Sequence, residues 1–187
     1  MAFIAEKFGV NEFRWNGDAS NDRAYTELMQ ALDKNDVKKI IADASTTPLD
    51  INGVKIEFLN PPADSHLDTN NKSLIARLSY KDASFLFTGD IEAVGELALL
   101  KRNENIHTAI LKVPHHGSRT SSTIDFLNKV QPRLAAISLG YLNPFGFPHP
   151  EILKRYEELK IPVIRTDISG AVTIETNGAD IKTSTFR

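Results

Sequence analysis

The sequence predicts a mixed α/β (α+β) fold organised as one domain, and three observations carry that expectation. The first half alternates apolar and polar residues between turn formers, as antiparallel hairpins do. The second half alternates strand-like and helix-like apolar runs, which implies helices packed outside a mixed sheet. The 187 residues are 41% hydrophobic and 25% charged, enough apolar content for one sizeable core.

Residues 2–8 read as the last turns of a helix that Gly9 stops. Phe13 and Trp15, two apart before Asn16-Gly17, read as a short strand. Ser20 or Asn21 can cap a helix running to about Leu32, with Leu28 and Leu32 on one face. A short strand is expected over 37–42. In LDINGVKIEFLN (49–60) the Asn52-Gly53 pair separates two apolar runs, a strong hairpin signal. Residues 61–71 are polar and rich in turn formers, hence a loop. Leu74, Ala76, Leu78 and Tyr80 alternate, Lys81-Asp82 turns the chain, and 83–88 return as a buried strand. Beyond Asp90 the apolar positions Val94, Leu97 and Leu100 predict a helix, followed by a strand over 108–113. A helix over 122–130, a strand over 134–139 and a helix opened by Pro150 come next. Short strands over 162–165, 171–175 and 181–183 close the chain, with turns at Ser169-Gly170 and Asn177-Gly178.

The net charge is −2, from 22 basic and 24 acidic residues spread along the chain, so no basic stripe marks a nucleic-acid or membrane surface. A phosphate-bearing substrate would have to be held locally. With no cysteine, any metal site must be built from histidine and carboxylate. Residues 1–9 lack the features of a signal peptide, and no apolar run reaches membrane-spanning length.

Asp90 follows the apolar strand FLFT through one glycine, which brings its carboxylate out at the end of a buried strand. Such a carboxylate can bridge two metal ions. It can equally cap the helix that follows. His115-His116 ends the strand AILKV through Pro114 and precedes Gly117. Adjacent histidines leave a strand in different directions, so one can bind metal while the other orients it or meets substrate. The bland alternative is one packed and one solvated histidine; two such residues at inferred strand ends favour the functional reading.

FTGD (87–90) together with LKVPHHGSRTSS (111–122) resembles the metallo-β-lactamase-like domain of the ComEC competence proteins, which are involved in DNA uptake. NNKSLIARLSY (70–80), NPFGFPHPEILKRYEELKIPVIRTD (143–167) and GAVTIET (170–176) resemble the same family in the same order. The resemblance implies an αββα metallo-β-lactamase-like fold, and a hydrolase dependent on a divalent metal, zinc or manganese. It implies Asp90 as the shared metal ligand and one histidine of the pair as another. His115 is favoured as that ligand, with His116 as its catalytic neighbour, and the reverse stays open. His149 in FPHPE is a further active-site histidine or simply a helix N-terminal residue, and Phe147 stands where relatives often carry histidine. Asn71 occupies the neighbourhood where such enzymes often keep another histidine. Ser118 and Arg119 can orient a phosphodiester or simply start a helix. His66 and His107 read as solvated, and Asp64 and Asp68 as weak metal neighbours at most.

The family's upstream His-x-His-x-Asp-His motif is absent from this sequence. Residues 1–187 are therefore expected to be a partial domain lacking its N-terminal part, with metal weakly held or absent and the isolated chain inactive. The parent is expected to hydrolyse DNA phosphodiesters and to be membrane-associated. A non-catalytic binding or dimerisation module, and a metallohydrolase of another ester, thioester or lactam, are the alternatives. A homodimer is expected as cover for an exposed strand edge or apolar sheet face.

Overall fold

The computed structural model describes residues 1–102 and 104–187. The chain opens with α1 (Ala2–Lys7), β1 (Glu12–Trp15), α2 (Arg23–Lys34) and β2 (Lys38–Ile41). β1 and β2 pair in parallel, and Ala5, Ala31, Leu32 and Val37 form a small core against which Leu28 packs. Leu28 and Leu32 thus share the face that their spacing predicts. The cap of α2 is Asp22, whose carboxylate accepts from Tyr25 N at 2.7 Å. Ser20, one of the two expected caps, instead donates its hydroxyl to Asp22. A carboxylate at the helix start also answers the positive end of the helix dipole, which a hydroxyl cannot.

β3 (Leu49–Ile51), β4 (Val54–Asn60), β5 (Ile75–Tyr80) and β6 (Ala83–Phe87) follow one another as an antiparallel meander. Asn52 and Gly53 both have positive φ, as the two-residue hairpin turn requires. From β6 onward the sheet turns parallel. β7 (Ile110–Lys112), β8 (Leu134–Ile137) and β9 (Val163–Arg165) extend it through the crossovers α3 (Ala93–Lys101), α4 (Ile124–Val130) and α5 (Pro150–Glu158). The result is one seven-stranded mixed sheet in the order β3 to β9. Its core unites Leu86 and Leu111 of the sheet with Phe126, Leu127, Ile152 and Tyr156 of the helices. A short helix α6 (Thr166–Ser169), unsignalled in the sequence, leads to the hairpin of β10 (Ala171–Thr176) and β11 (Ile181–Phe186). That hairpin lies over part of the opposite face, where Ile174 joins Leu78 and Phe85 around a cavity of about 400 Å³. The α/β class with a central mixed sheet is as expected.

The rotation of α3 departs from the apolar pattern. Val94 and Leu97 are exposed, and the helix buries Gly95, Glu96 and Leu99 instead. The reason is a carboxylate with its own set of donors. Glu96 is fully buried and accepts from Ser122 N at 2.6 Å, Thr123 N at 2.8 Å and Thr123 Oγ1 at 2.7 Å. Those bonds fasten α3 to the start of α4, just beyond the histidine pair. Burial raises the Glu96 carboxyl above its ordinary 4.5, against the lowering effect of the Thr123 and Ser122 hydrogen bonds.

Two outcomes follow for Glu96. Glu96→Ala strips three donors of their buried acceptor and should cost about 3 kcal/mol in urea unfolding. Because the folded pKa is raised, the stability tied to the Glu96 proton is fully present below pH 4.5 and is lost as pH climbs through the folded value. Glu96→Gln, which cannot ionise, should therefore lose less stability than the wild type from pH 4.5 to neutrality. Parallel pH curves for the two proteins would contradict this.

Candidate metal centre

Parallel strands leave crevices at their carboxyl ends, and the candidate residues gather there. Asp90 follows β6, His115 and His116 follow β7, and the loop leading to His149 follows β8. Gly89 has φ +56°, and a Cβ on it would lie 2.7 Å from the Ser73 Cβ. Glycine thus lets the start of β5 close on the Asp90 turn, and Asp90 N donates to Ser73 Oγ at 2.9 Å.

The capping role left open for Asp90 belongs elsewhere. The N-cap position of α3 is Glu92, without a side-chain cap bond of its own. The orphan N–H groups are taken by Asn71, whose Oδ1 accepts from Glu92 N at 3.0 Å and Gly95 N at 2.8 Å. Its Nδ2 donates to both Asp68 oxygens at 3.0 Å. Accepting on one side and donating on the other is what an amide does and a carboxylate cannot. Asn71 is consequently a buried helix cap, and Asp90 is released to face the crevice.

Residues 114–117 form a single tight turn in which His115, His116 and Gly117 have φ of 44°, 52° and 82°. Left-handed backbone at a side-chain-bearing residue costs about 1–2 kcal/mol each. Neighbouring loops hold it in place: His115 N donates to Gly89 O at 3.2 Å and His149 N to Gly117 O at 3.0 Å. A Cβ at Gly117 would lie 2.6 Å from Pro148 Cβ, so glycine also permits this close approach.

The turn aims the two imidazoles apart. His116 Nε2 lies 3.3 Å from Asp90 Oδ1, while its Nδ1 is hydrogen-bonded to the Ser138 carbonyl. A carbonyl can only accept, so Nδ1 carries a proton, and Nε2 is the ring nitrogen turned toward Asp90. His115 Nδ1 sits 3.1 Å from Glu92 Oε1 without hydrogen-bonding geometry, and this buried nitrogen has no hydrogen-bond partner among the described residues. Glu92 Oε1 instead accepts from Thr120 Oγ1 at 2.9 Å. Lys112 Nζ donates to Gly89 O at 2.9 Å and lies 3.7 Å from Asp90 Oδ1. Burial lowers its pKa, with Asp90 pulling the other way.

Asp90, His115 and His116 line a cavity of about 360 Å³ whose other wall is Leu139, Gly140, Asn143, Phe145 and Phe147. His149 occupies the N-cap of α5 without making a cap bond; its Nδ1 lies 3.4 Å from Arg119 Nη2. Arg119 is exposed, and its Nε is 3.8 Å from Glu151 Oε1. Ser118 is buried, with its hydroxyl 2.9 Å from Thr120 Oγ1, so it braces the turn. His66, His107 and Asp64 are exposed and away from this cavity. Among the described residues, no three His, Asp or Glu side chains converge as a metal-holding group. Sequence reading passed over Lys112 and Glu92. A lysine inside the apolar strand AILKV was the available sign of the first. Glu92 carried no comparable sign.

The strained turn is open to a direct test. His115→Asn keeps a residue tolerant of left-handed backbone, whereas His115→Val places a β-branched residue there. Valine should be about 2 kcal/mol less stable than asparagine in urea unfolding. Equal stabilities would show that this backbone conformation is not enforced.

No protein-family model matches the chain. It is 37% identical over 136 residues to competence protein ComA of Neisseria gonorrhoeae, a match covering 72% of this chain and 20% of that protein. It is 35% identical over 124 residues to ComE operon protein 3 of Bacillus subtilis, covering 66% and 16%. Recombination protein 2 of Haemophilus influenzae is 34% identical over 122 residues, covering 65% and 15%. The chain thus spans a fifth or less of the length of these relatives. A solved structure from Thermotoga maritima, described as a candidate Zn-dependent hydrolase of the metallo-β-lactamase superfamily, overlays with a TM-score of 0.44 at 15% identity. The overlay covers 77% of this chain and 67% of that one. By its sequence relatives, the chain belongs to the ComEC family of competence proteins.

Proposed function

We propose that this chain supplies part of a divalent-metal centre for phosphodiester hydrolysis, with zinc or manganese as the metal and DNA as the substrate of a longer protein. The observation that carries the proposal is the pairing of Asp90 Oδ1 with His116 Nε2 at 3.3 Å. A ligating imidazole ordinarily donates its second N–H to a carbonyl, as His116 does to Ser138. His116 is accordingly the better ligand, which reverses the order favoured from sequence, and His115 becomes its neighbour. When bound, the metal would polarise a phosphoryl oxygen and lower the pKa of water.

A catalytic site needs about three protein ligands and an open position. Asp90 and His116 do not reach that number, so these residues alone do not fit a working metal, and the isolated chain is inactive on this reading. The missing ligands come from another segment or another chain. What these residues do themselves is narrower. Ser138 orients His116, Lys112 offsets the Asp90 charge, Arg119 can grip a phosphate, and His149 beside it can hold a proton for a leaving oxygen. Relatives named for competence and recombination favour a nucleic acid over a lactam or thioester.

Equilibrium dialysis against zinc and manganese tests the ligand pair. Uptake should be weak, and Asp90→Ala or His116→Ala should abolish it, while His115→Asn keeps most of it. Hydrolysis of bis(p-nitrophenyl) phosphate should be absent from the chain alone and appear in a longer polypeptide carrying a His-x-His-x-Asp-His segment. Full activity in the chain alone, or a metal-loaded longer protein without any, would sink the proposal.

A second reading, self-association, is favoured by the sheet face opposite the core helices. There Phe87 is 44% exposed, Phe85 beside it is half-buried, and Ile51 on β3 at the sheet edge is 54% exposed. Among the described residues no helix is long and apolar enough to cross a membrane. Sedimentation velocity should show a concentration-dependent dimer that Phe87→Ser weakens; a monomer throughout the micromolar range would contradict it.

A further inference from the structure

We infer that the loop between β8 and α5 is a ledge for stacking nucleobases, which holds a single strand across the Asp90–His116 crevice. The inference rests on the phosphodiester reading above and narrows its substrate to unpaired strands. Within five residues this loop exposes Tyr141 at 72%, Leu142 at 85% and Phe145 at 69%. An apolar cluster left open in this way marks a surface that meets something.

The loop is fixed rather than loose. Asn143 Nδ2 donates to Phe147 O at 2.8 Å, and Phe147 N donates to Asn143 Oδ1 at 2.9 Å, closing a ring across the loop. Phe145 stacks on Phe147 with centroids 5.6 Å apart and an interplanar angle of 22°. Phe147 in turn meets His115 edge-on at 5.6 Å and His149 at 5.3 Å. An aromatic stack therefore runs from solvent to the candidate metal centre. Phe145 and Phe147 line the same cavity as Asp90 and His116, so a base on Phe145 carries its phosphate into that cavity.

The chemistry selects the occupant. A flat π-face with an anion attached matches an aromatic ledge that leads through Phe147 and His149 to the exposed Arg119, and sequence-tolerant stacking of this kind is how single strands are held. A duplex keeps the faces of its bases stacked on one another, so only unpaired bases can use the ledge.

The test is fluorescence anisotropy with this chain in EDTA, which removes any dependence on metal. The probes are a labelled oligothymidylate, an abasic strand of equal length and charge, and the matching duplex. The oligothymidylate should bind about tenfold more tightly than the abasic strand, in keeping with stacking energies. Phe145→Ala should erase that margin without weakening the abasic strand, and Phe145→Trp should restore it. Equal binding of base-bearing and abasic strands would overturn the ledge. So would a Phe145→Ala defect confined to phosphatidylglycerol vesicles, which would mark a lipid contact instead. Asp90→Ala should leave base selectivity intact. Selectivity without hydrolysis in the longer protein would therefore refute the catalytic reading alone, and hydrolysis without selectivity would refute the ledge alone.

Discussion

Three consecutive residues with positive φ relax unless both flanks are held, and the turn at His115, His116 and Gly117 is held on both. The Asp90 turn accepts the His115 amide on one side, and the loop before α5 donates to the Gly117 carbonyl on the other. Three carboxyl-end loops of the parallel strands are thereby tied together at one point. The directions of both imidazoles, the seating of Pro148 and the entry to α5 all depend on that tie. The strain is local, and stability drawn from the core below offsets it.

A second constraint acts from underneath. Asn71 caps α3 from a loop some twenty residues earlier in the chain, and Glu96 on the same helix collects the amides that open α4. Polar groups thus decide how α3 is rotated, even though Val94 and Leu97 are left exposed. A buried carboxylate with three donors is worth more here than two partly covered aliphatic side chains.

Much of this was legible in the sequence. The Asn52-Gly53 hairpin, the meander, the parallel second half and the Pro150 helix rest on local chemistry, and local chemistry can be read from neighbouring residues. That Asp90 and the histidine pair share one crevice was readable because each sits where an apolar strand ends. The cap of α3 was not, since Asn71 is remote in sequence and a preceding Asp is the usual acceptor. The basis for proposing His116 over His115 was also hidden. It is the left-handed backbone at both positions and the Ser138 carbonyl, neither of which spacing reveals. Lys112 was visible as a charge within an apolar strand, but its tie to Gly89 O is tertiary.

The change of strand direction at β6 has a consequence in time. The pairings from β3 to β6 join chain neighbours, two of them through two-residue turns and β4–β5 through the loop 61–74, so less loop-closure entropy opposes them. The pairings from β6 to β9 each wait for a crossover of twenty or more residues to be gathered in, and contacts of that range form slowly. By that ordering the meander is expected to form first and the crevice to be completed when the last parallel strands dock. The candidate site then belongs to the half of the sheet built from the longest-range pairings.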